Sequence, residues 1–293
     1  MRAPSDRLRR LEWTVIRRLD GFLQGDYRTL FRGYGMDLAD IREYVPGDDV
    51  RHIDWNVTAR MDTPYVREYH EDREVTAHFL LDVSPSVDFG TATALKRDLL
   101  IDFVAVLSRL LTRHGNRVGA IVYGNGVERV IPARGGRMQV LRLIDHLEKR
   151  PRLKEAPATS LAELLDTANR QIRRRSLVFI ISDFFTTPGW ERGLSDLSRR
   201  HEVLAIRLWD PREVQLPDIG VVMMEDSETG EQLYVDTHDK RFRQRFAEAA
   251  QQREAALEQT FKRAGVDVLS LSTEDDLVRA IVRFAMLRQQ RRK

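Results

Sequence analysis

One stretch, HFLLDVSPSVDFG at residues 78–90, constrains the fold of this chain more than any other. A short apolar run ends in Asp82, and Asp82, Ser84 and Ser86 then follow at every second position. A run of this length is strand-sized, and its near-continuous apolar character marks a strand buried on both faces. A strand that opens into a loop of carboxylate and hydroxyl oxygens is a natural seat for a hard cation. Mg²⁺ takes oxygen ligands in octahedral geometry and commonly keeps several waters. The same residues also suit a turn that caps a following helix, so the Asp-x-Ser-x-Ser pattern alone leaves both readings open.

The pattern around this strand is regular from about residue 75 onward. Val75–Val83, Ser176–Ser182, Val203–Leu208 and Val266–Leu271 read as buried strands. Arg117–Tyr123 and Val127–Ile131 read as strands joined by Gly124-Asn125-Gly126, a strong hairpin signal. Ala94–Arg113, Gly136–Lys149, Ser160–Ile172, Gly189–Arg200, Lys240–Arg263 and Glu274–Leu287 are read as helices. Val221–Glu225 and Gln232–Val235 form a second hairpin. Apolar strands alternating with amphipathic helices predict an α/β fold with a doubly wound, mostly parallel sheet and helices on both faces. Ligands of such sheets bind beyond the carboxyl ends of the strands. Asp82 lies at one such end, and Asp183 in FIISDFF at another. Thr159 lies in a third loop, with Ser160 beside it as the alternative hydroxyl.

Asp82, Ser84, Ser86, Thr159 and Asp183 together offer two carboxylates and three hydroxyls. Neutral hydroxyl ligands leave a divalent cation under-neutralised, so it can accept a further anionic oxygen from outside, such as a partner's Glu or Asp. The expectation is metal-dependent recognition rather than catalysis.

Before residue 75 the chain reads differently. Residues 6 to 24 place Leu8, Leu11, Val15, Leu19, Phe22 and Leu23 at helical spacing with arginines opposite, a helix that covers its own domain's core. Residues 25 to 74 are rich in Gly, Asp, Arg and aromatics without a sustained period. EYVPGDDVRHIDWNVTARMDTPYVREY reads as turns and short strands, with Pro46-Gly47-Asp48-Asp49 a turn. Its interleaved charges (Asp48, Asp49, Arg51, Asp54, Arg60, Arg67, Glu68), with Arg42 just before them, suggest a polar network with Trp55 as apolar anchor. Such a block serves equally as an ion-paired clamp or as a partner-binding surface, because arginine–carboxylate forks do both. The domain division expected is an N-terminal helix and Arg/Asp-rich extension over 1–74 and an α/β domain over 75–293.

Composition narrows the class. The 293 residues are 42% hydrophobic and 32% charged, enough for a core under a highly charged surface. The absence of cysteine excludes disulfides, zinc ribbons and thiol catalysis. No apolar run approaches the roughly 18 residues of a spanning helix, and the charged N-terminus does not read as a secretory signal. The chain is therefore expected to be cytoplasmic, with no membrane span. Net charge is +3, from 48 basic and 45 acidic residues. Basic clusters such as Arg173–Arg175 lack a nucleic-acid motif and are read as solvated surface.

These residues resemble a known arrangement. DVSPS with Thr159 and Asp183 downstream resembles the metal-ion-dependent adhesion site of von Willebrand factor A domains. That resemblance implies that Ser84, Ser86 and Thr159 ligate a divalent cation, with Asp82 and Asp183 acting mostly through water. The segment GYGMDLADIREYVPGDDVRHIDWNVTARMDTPYVREY is similar to the signature of a bacterial family known as domain of unknown function fifty-eight. Arg42, Tyr44, Pro46, Gly47, Asp48, Asp49, Arg51, Ile53, Asp54, Trp55, Ala59 and Arg60 match its pattern RxYxPGDDxRxIDWxxxAR. The resemblance continues through SLVFIISDFF and WDPREVQLPDIG. It implies Mg²⁺ or another divalent cation as cofactor and a MoxR-type AAA+ ATPase as protein partner, in a chaperone-like or metal-insertion role. No small-molecule substrate is expected. Many members of that family carry N-terminal membrane helices; none is read in this sequence, so membrane anchoring is not expected from the resemblance.

Enzyme readings fare less well. There is no GxxxxGK[ST] for a P-loop and no GxSxG elbow. A Mg²⁺-dependent phosphohydrolase with Asp82 as nucleophile would need a second carboxylate two residues on as acid and base; Ser84 stands there, and a hydroxyl has no suitable pKa. A further alternative is an adaptor that binds through the Asp48–Arg60 block, with the metal only structural.

Overall fold

Long apolar runs find partners on both sides in the computed structural model, which describes residues 4–19, 40–50, 53–61, 63–68, 75–91, 94–152, 159–225 and 230–291. In chain order the elements are α1 (Pro4–Leu11, continued by a π-helical turn over Glu12–Ile16), β1 (Asp40–Glu43), α2 (Trp55–Met61), β2 (Tyr65–Glu68) and β3 (Thr76–Asp82). Then come α3 (Lys96–Arg113), β4 (Arg117–Tyr123), β5 (Val127–Arg134), α4 (Arg137–Lys149) and α5 (Leu161–Gln171). They are followed by β6 (Leu177–Ser182), α6 (Trp190–Arg200), β7 (Glu202–Trp209), β8 (Val221–Glu225) and β9 (Gln232–Asp236). The last are α7 (Lys240–Ala264), β10 (Asp267–Ser272) and α8 (Leu277–Arg291).

By contact density the chain divides into two compact units, one of Met1–Asp26 with Thr76–Lys293 and one of Tyr27–Val75. The larger unit is built on a six-stranded sheet of order β10-β7-β6-β3-β4-β5. Every neighbouring pair is parallel except β4 with β5. Counted within the sheet alone this is the doubly wound order 3-2-1-4-5-6, and it reverses direction between β3 and β6. The central strands are buried along nearly their whole length, which is why they read as continuous apolar runs and not as alternating ones. On one face α5, α6 and α7 bury Leu164, Leu165, Leu194, Leu197, Leu257 and Phe261 against Leu80, Val178 and Ile180. α3 and α4 pack together elsewhere on the sheet, and α1 packs against both.

The first helix belongs to the larger unit for a visible reason. Leu8, Leu11, Val15, Ile16 and Leu19 are buried, and Arg7 ties the helix down. Its guanidinium donates to Asp102 at 2.6 Å, to Glu148 at 3.3 Å and to the Asp98 carbonyl at 3.0 Å, joining α1 to α3 and α4.

The smaller unit has its own logic. β1 and β2 pair antiparallel, with Arg42 opposite Val66. Gly47 takes a positive φ of 114° in the turn at Pro46-Gly47, a backbone conformation that glycine adopts without steric cost. One expectation is corrected in this unit. Residues 55–61 form a helix where turns and short strands were anticipated, because Asp54 caps it: the Asp54 carboxylate accepts from the Val57 amide at 3.3 Å and its carbonyl from the Thr58 amide at 2.9 Å.

Candidate functional site

Two buried strands side by side deliver the carboxylates. β3 ends at Asp82 and its parallel neighbour β6 ends one residue before Asp183, at the point where the strand order reverses. In a doubly wound sheet that crevice is where ligands bind. Asp82 is fully buried, and its oxygens accept from the Ser182 hydroxyl at 2.6 Å and the Ser84 amide at 3.0 Å. Ser84 and Ser86 bring their hydroxyls within 3.2 Å of each other, on a short 3₁₀ turn opened by Pro85. Burial, and then the repulsion of Asp183, push Asp82 up to about 7.

Thr159 is buried as well, and its backbone is tied to the chain beyond Asp183. Its carbonyl accepts from the Thr186 hydroxyl and the Thr187 amide, each at 2.9 Å. Ser160 is held by its neighbour in the sheet, its amide donating to the Tyr123 hydroxyl at 2.9 Å. Ser160 sits at the head of α5 but makes no side-chain capping bond there. Phe184 adopts φ 58°, unusual for a residue with a Cβ. The strained turn seats its ring between Trp190 and Phe261, at 5.6 and 5.0 Å between centroids.

The structure adds a residue that sequence reasoning missed. Lys96, the first residue of α3, is wholly buried, and its ammonium sits 2.7 Å from Asp183 and 2.5 Å from Glu213. Burial works against that charge, but Asp183 and Glu213 outweigh it and raise the lysine's pKa. Phe89 and Phe185 flank the ammonium at 5.7 and 5.4 Å. Glu213 is placed by a capping box in which Asp210 accepts from the Arg212 amide and Glu213 accepts from the Asp210 amide. Asp210 in turn accepts from the hydroxyls of Thr91 and Thr273 at 2.6 and 2.7 Å. The only sequence signal for Lys96 was a lysine opening an otherwise apolar helix, a pattern that snorkelling side chains produce as readily.

The donor set suits a small hard cation. Two of three buried or largely buried carboxyl groups, Asp183 and Glu213, share one ammonium, and Asp82 makes no ion pair among the described residues. Two serine hydroxyls point together beside it. Among the described residues no three His, Asp or Glu side chains gather to hold a metal, so a cation would depend on this mixed carboxylate and hydroxyl set.

The residues of the Arg/Asp-rich block take several places. Arg42 forks Asp48 with two bonds of 2.7 and 2.8 Å, and this fork with the Val45 amide holds Asp48 down to about 2. Asp54 is a helix cap and Asp49 is exposed. Trp55 was expected to be an apolar anchor; instead its side chain is 70% exposed on α2, as is Arg60 nearby, because capping by Asp54 starts a helix whose first residue faces outward. Arg51 lies outside the described residues.

The sheet order, the antiparallel edge strand and a polar crevice at the reversal point define a von Willebrand factor A-like α/β module. The family model described as "Protein of unknown function DUF58" matches residues 40–256, and the chain belongs to that family. Uncharacterized proteins of Mycobacterium bovis and Mycobacterium tuberculosis are each 40% identical over 283 residues, 97% of this chain and 89% of the relative. Among solved structures, BatB from Bacteroides thetaiotaomicron is 14% identical, covers 74% of this chain and 99% of its own, and has a TM-score of 0.48. The SpRpn10 VWA domain is 11% identical over 71% of this chain and 94% of its own, with a TM-score of 0.40. Among the described residues no helix is long and apolar enough to cross a membrane.

Proposed function

We propose that this chain is a non-catalytic protein-interaction module that engages an acidic residue of a partner through a divalent cation, Mg²⁺ first, held by Asp82, Ser84, Ser86, Thr159 and Asp183. The observation that carries the reading is Asp82: a fully buried carboxyl with no cationic partner among the described residues, accepting two hydrogen bonds and standing beside paired serine hydroxyls. A bound cation would supply a coordination position for a carboxylate from outside. The chain's own residues do the rest. Ser182 and the Ser84 amide fix the Asp82 carboxylate, and Lys96 holds Asp183 in place. Because all five donors are buried, the proposal includes an opening of the covering loops when the partner arrives.

The partner class proposed is a MoxR-type AAA+ ATPase, and the resemblance of the RxYxPGDDxRxIDW segment supports it. The test is a pull-down of such an ATPase, purified, by this chain in Mg²⁺ and in chelator, with Ser84→Ala alongside. The reading expects capture in Mg²⁺ only, and loss with Ser84→Ala. Capture that is indifferent to both would remove the metal bridge.

A second reading has its own observation. Trp55 and Met61 are exposed on α2, with Val45 and Val50 exposed on the same small unit. An adaptor binding through the Asp48–Arg60 block would keep its partner in chelator and lose it on Arg60→Glu. The phosphohydrolase alternative still lacks the second carboxylate at Ser84.

A further inference from the structure

The far edge of the sheet carries a groove that the candidate cation site does not use. β5 is the terminal strand and, among the described residues, pairs only with β4. Between its outer side and α4 lies a cavity of about 740 Å³. Five cationic side chains line it, and two of them are already matched: Arg150 forks Glu128 at 2.6 and 2.7 Å, and Lys149 reaches Asp145 at 2.8 Å. Arg129, Arg134 and Arg142 have no acidic partner among the described residues, and all three are exposed. His146 faces the same groove with its Nε2 buried and without a hydrogen-bond partner.

We propose that this groove binds an extended acidic peptide segment of a partner protein, read by the guanidinium groups of Arg129, Arg134 and Arg142.

Three features select that ligand. Guanidinium forks match carboxylates in geometry and stay charged at any working pH. Even with its bulges, an eight-residue strand offers a wall of up to about 26 Å, at about 3.3 Å per residue, which suits an extended chain better than a compact ion. Among the described residues no aromatic side chain other than the His146 imidazole lines the groove, which argues against the stacking platforms that single-stranded nucleic acids use. Pro132 removes one main-chain donor from the edge, a common defence of edge strands against pairing. Recognition therefore rests on the arginine side chains and not on adding a strand to the sheet.

The surface is separate from the Asp82 site, so its binding is independent of divalent cations and can fail or succeed without that proposal. The experiment is fluorescence anisotropy of a labelled octaglutamate peptide with the full chain at low ionic strength and in chelator. The proposal expects saturable binding that weakens with salt, and a loss on the order of tenfold or more in Arg129→Glu/Arg142→Glu. Arg173→Glu/Arg174→Glu, a charge reversal of equal size elsewhere, should leave binding within about twofold, as expected of a rim charge outside the contact. Arg134→Ala should give an intermediate loss. Equal losses in both double variants would show a nonspecific basic surface and overturn the proposal. So would binding unchanged in Arg129→Glu/Arg142→Glu. Tighter binding of a labelled oligothymidylate, lost in the same variant, would replace the acidic peptide with nucleic acid.

Discussion

The Lys96 ammonium lies 2.7 Å from Asp183, and both side chains are closed to solvent. This pair makes the crevice between β3 and β6 electrostatically lopsided. Asp183 and Glu213 have an internal cation; among the described residues Asp82 has hydrogen bonds only. A site of this kind holds one internal cation for three carboxyl groups and leaves the remaining counter-charge to be supplied.

Removing the lysine's charge should be costly. Lys96→Met leaves two buried or nearly buried carboxylates without their ammonium, and breaking such a pair typically costs about 3–5 kcal/mol. Glu213→Gln keeps the bond to Asp183 and should cost distinctly less. Denaturant midpoints of the two variants check the order; a Lys96→Met protein as stable as the parent would mean that the ammonium is not what holds Asp183.

His78 on β3 gives a pH signature. Burial, and then repulsion from His201, depress its pKa from 6.5 to about 4. Between those values the unfolded chain binds a proton that the folded chain refuses, so this group lowers stability as pH falls from about 6.5 to 4, by at most about 3 kcal/mol. Above 6.5 it contributes nothing. Asp82 works in the opposite direction over an overlapping window, because its folded pKa is raised. The clean observable is therefore the difference between the parent and His78→Phe. That variant should lose less stability on acidification, and parallel curves would contradict the assignment.

Gly119→Ala tests the register of the sheet edge. β4 and β5 slip between Val118 and Ala120, where Gly119 comes so close to β5 that an added Cβ would lie 2.8 Å from the Ile131 carbonyl oxygen and 2.9 Å from the Ala133 amide. Both are backbone atoms and cannot rotate away, so a loss of about 1–3 kcal/mol is expected. An unchanged thermal midpoint would mean that the two strands do not meet in this register.

Trp55→Ala should leave stability within about 0.5 kcal/mol, since the ring is exposed. A large loss of stability would instead restore the anchoring role first read for this residue.

The fold was legible where burial is one-sided in its demands. β3, β6 and β7 could be read because strands buried on both faces need unbroken apolar runs, and the Gly124-Asn125-Gly126 turn placed β4 and β5. Ends were less legible. Glu274–Asp276 resembled a first helical turn, but Asp275 accepts from the Ser272 amide behind it and Asp276 caps forward onto the Arg279 amide, so α8 begins at Leu277. Strand β5 runs on to Arg134 through Pro132, which an edge position tolerates. α2 was missed because WNVTARM is too short to show a period, and its cap is a single aspartate. In the site, the oxygen-bearing loop was visible as a local pattern. Lys96 and Glu213 were not, since their bonds join residues 87 and 117 positions apart and no local spacing encodes them.

The central claim is a divalent cation at Asp82, and the most direct measurement is isothermal titration of Mg²⁺ into the full chain, into Ser84→Ala and into Asp82→Asn, each confirmed folded by circular dichroism. The account predicts saturable binding of one ion by the parent and its loss in both variants. Binding that persists unchanged in the two variants, or a parent that binds no divalent ion, would contradict it.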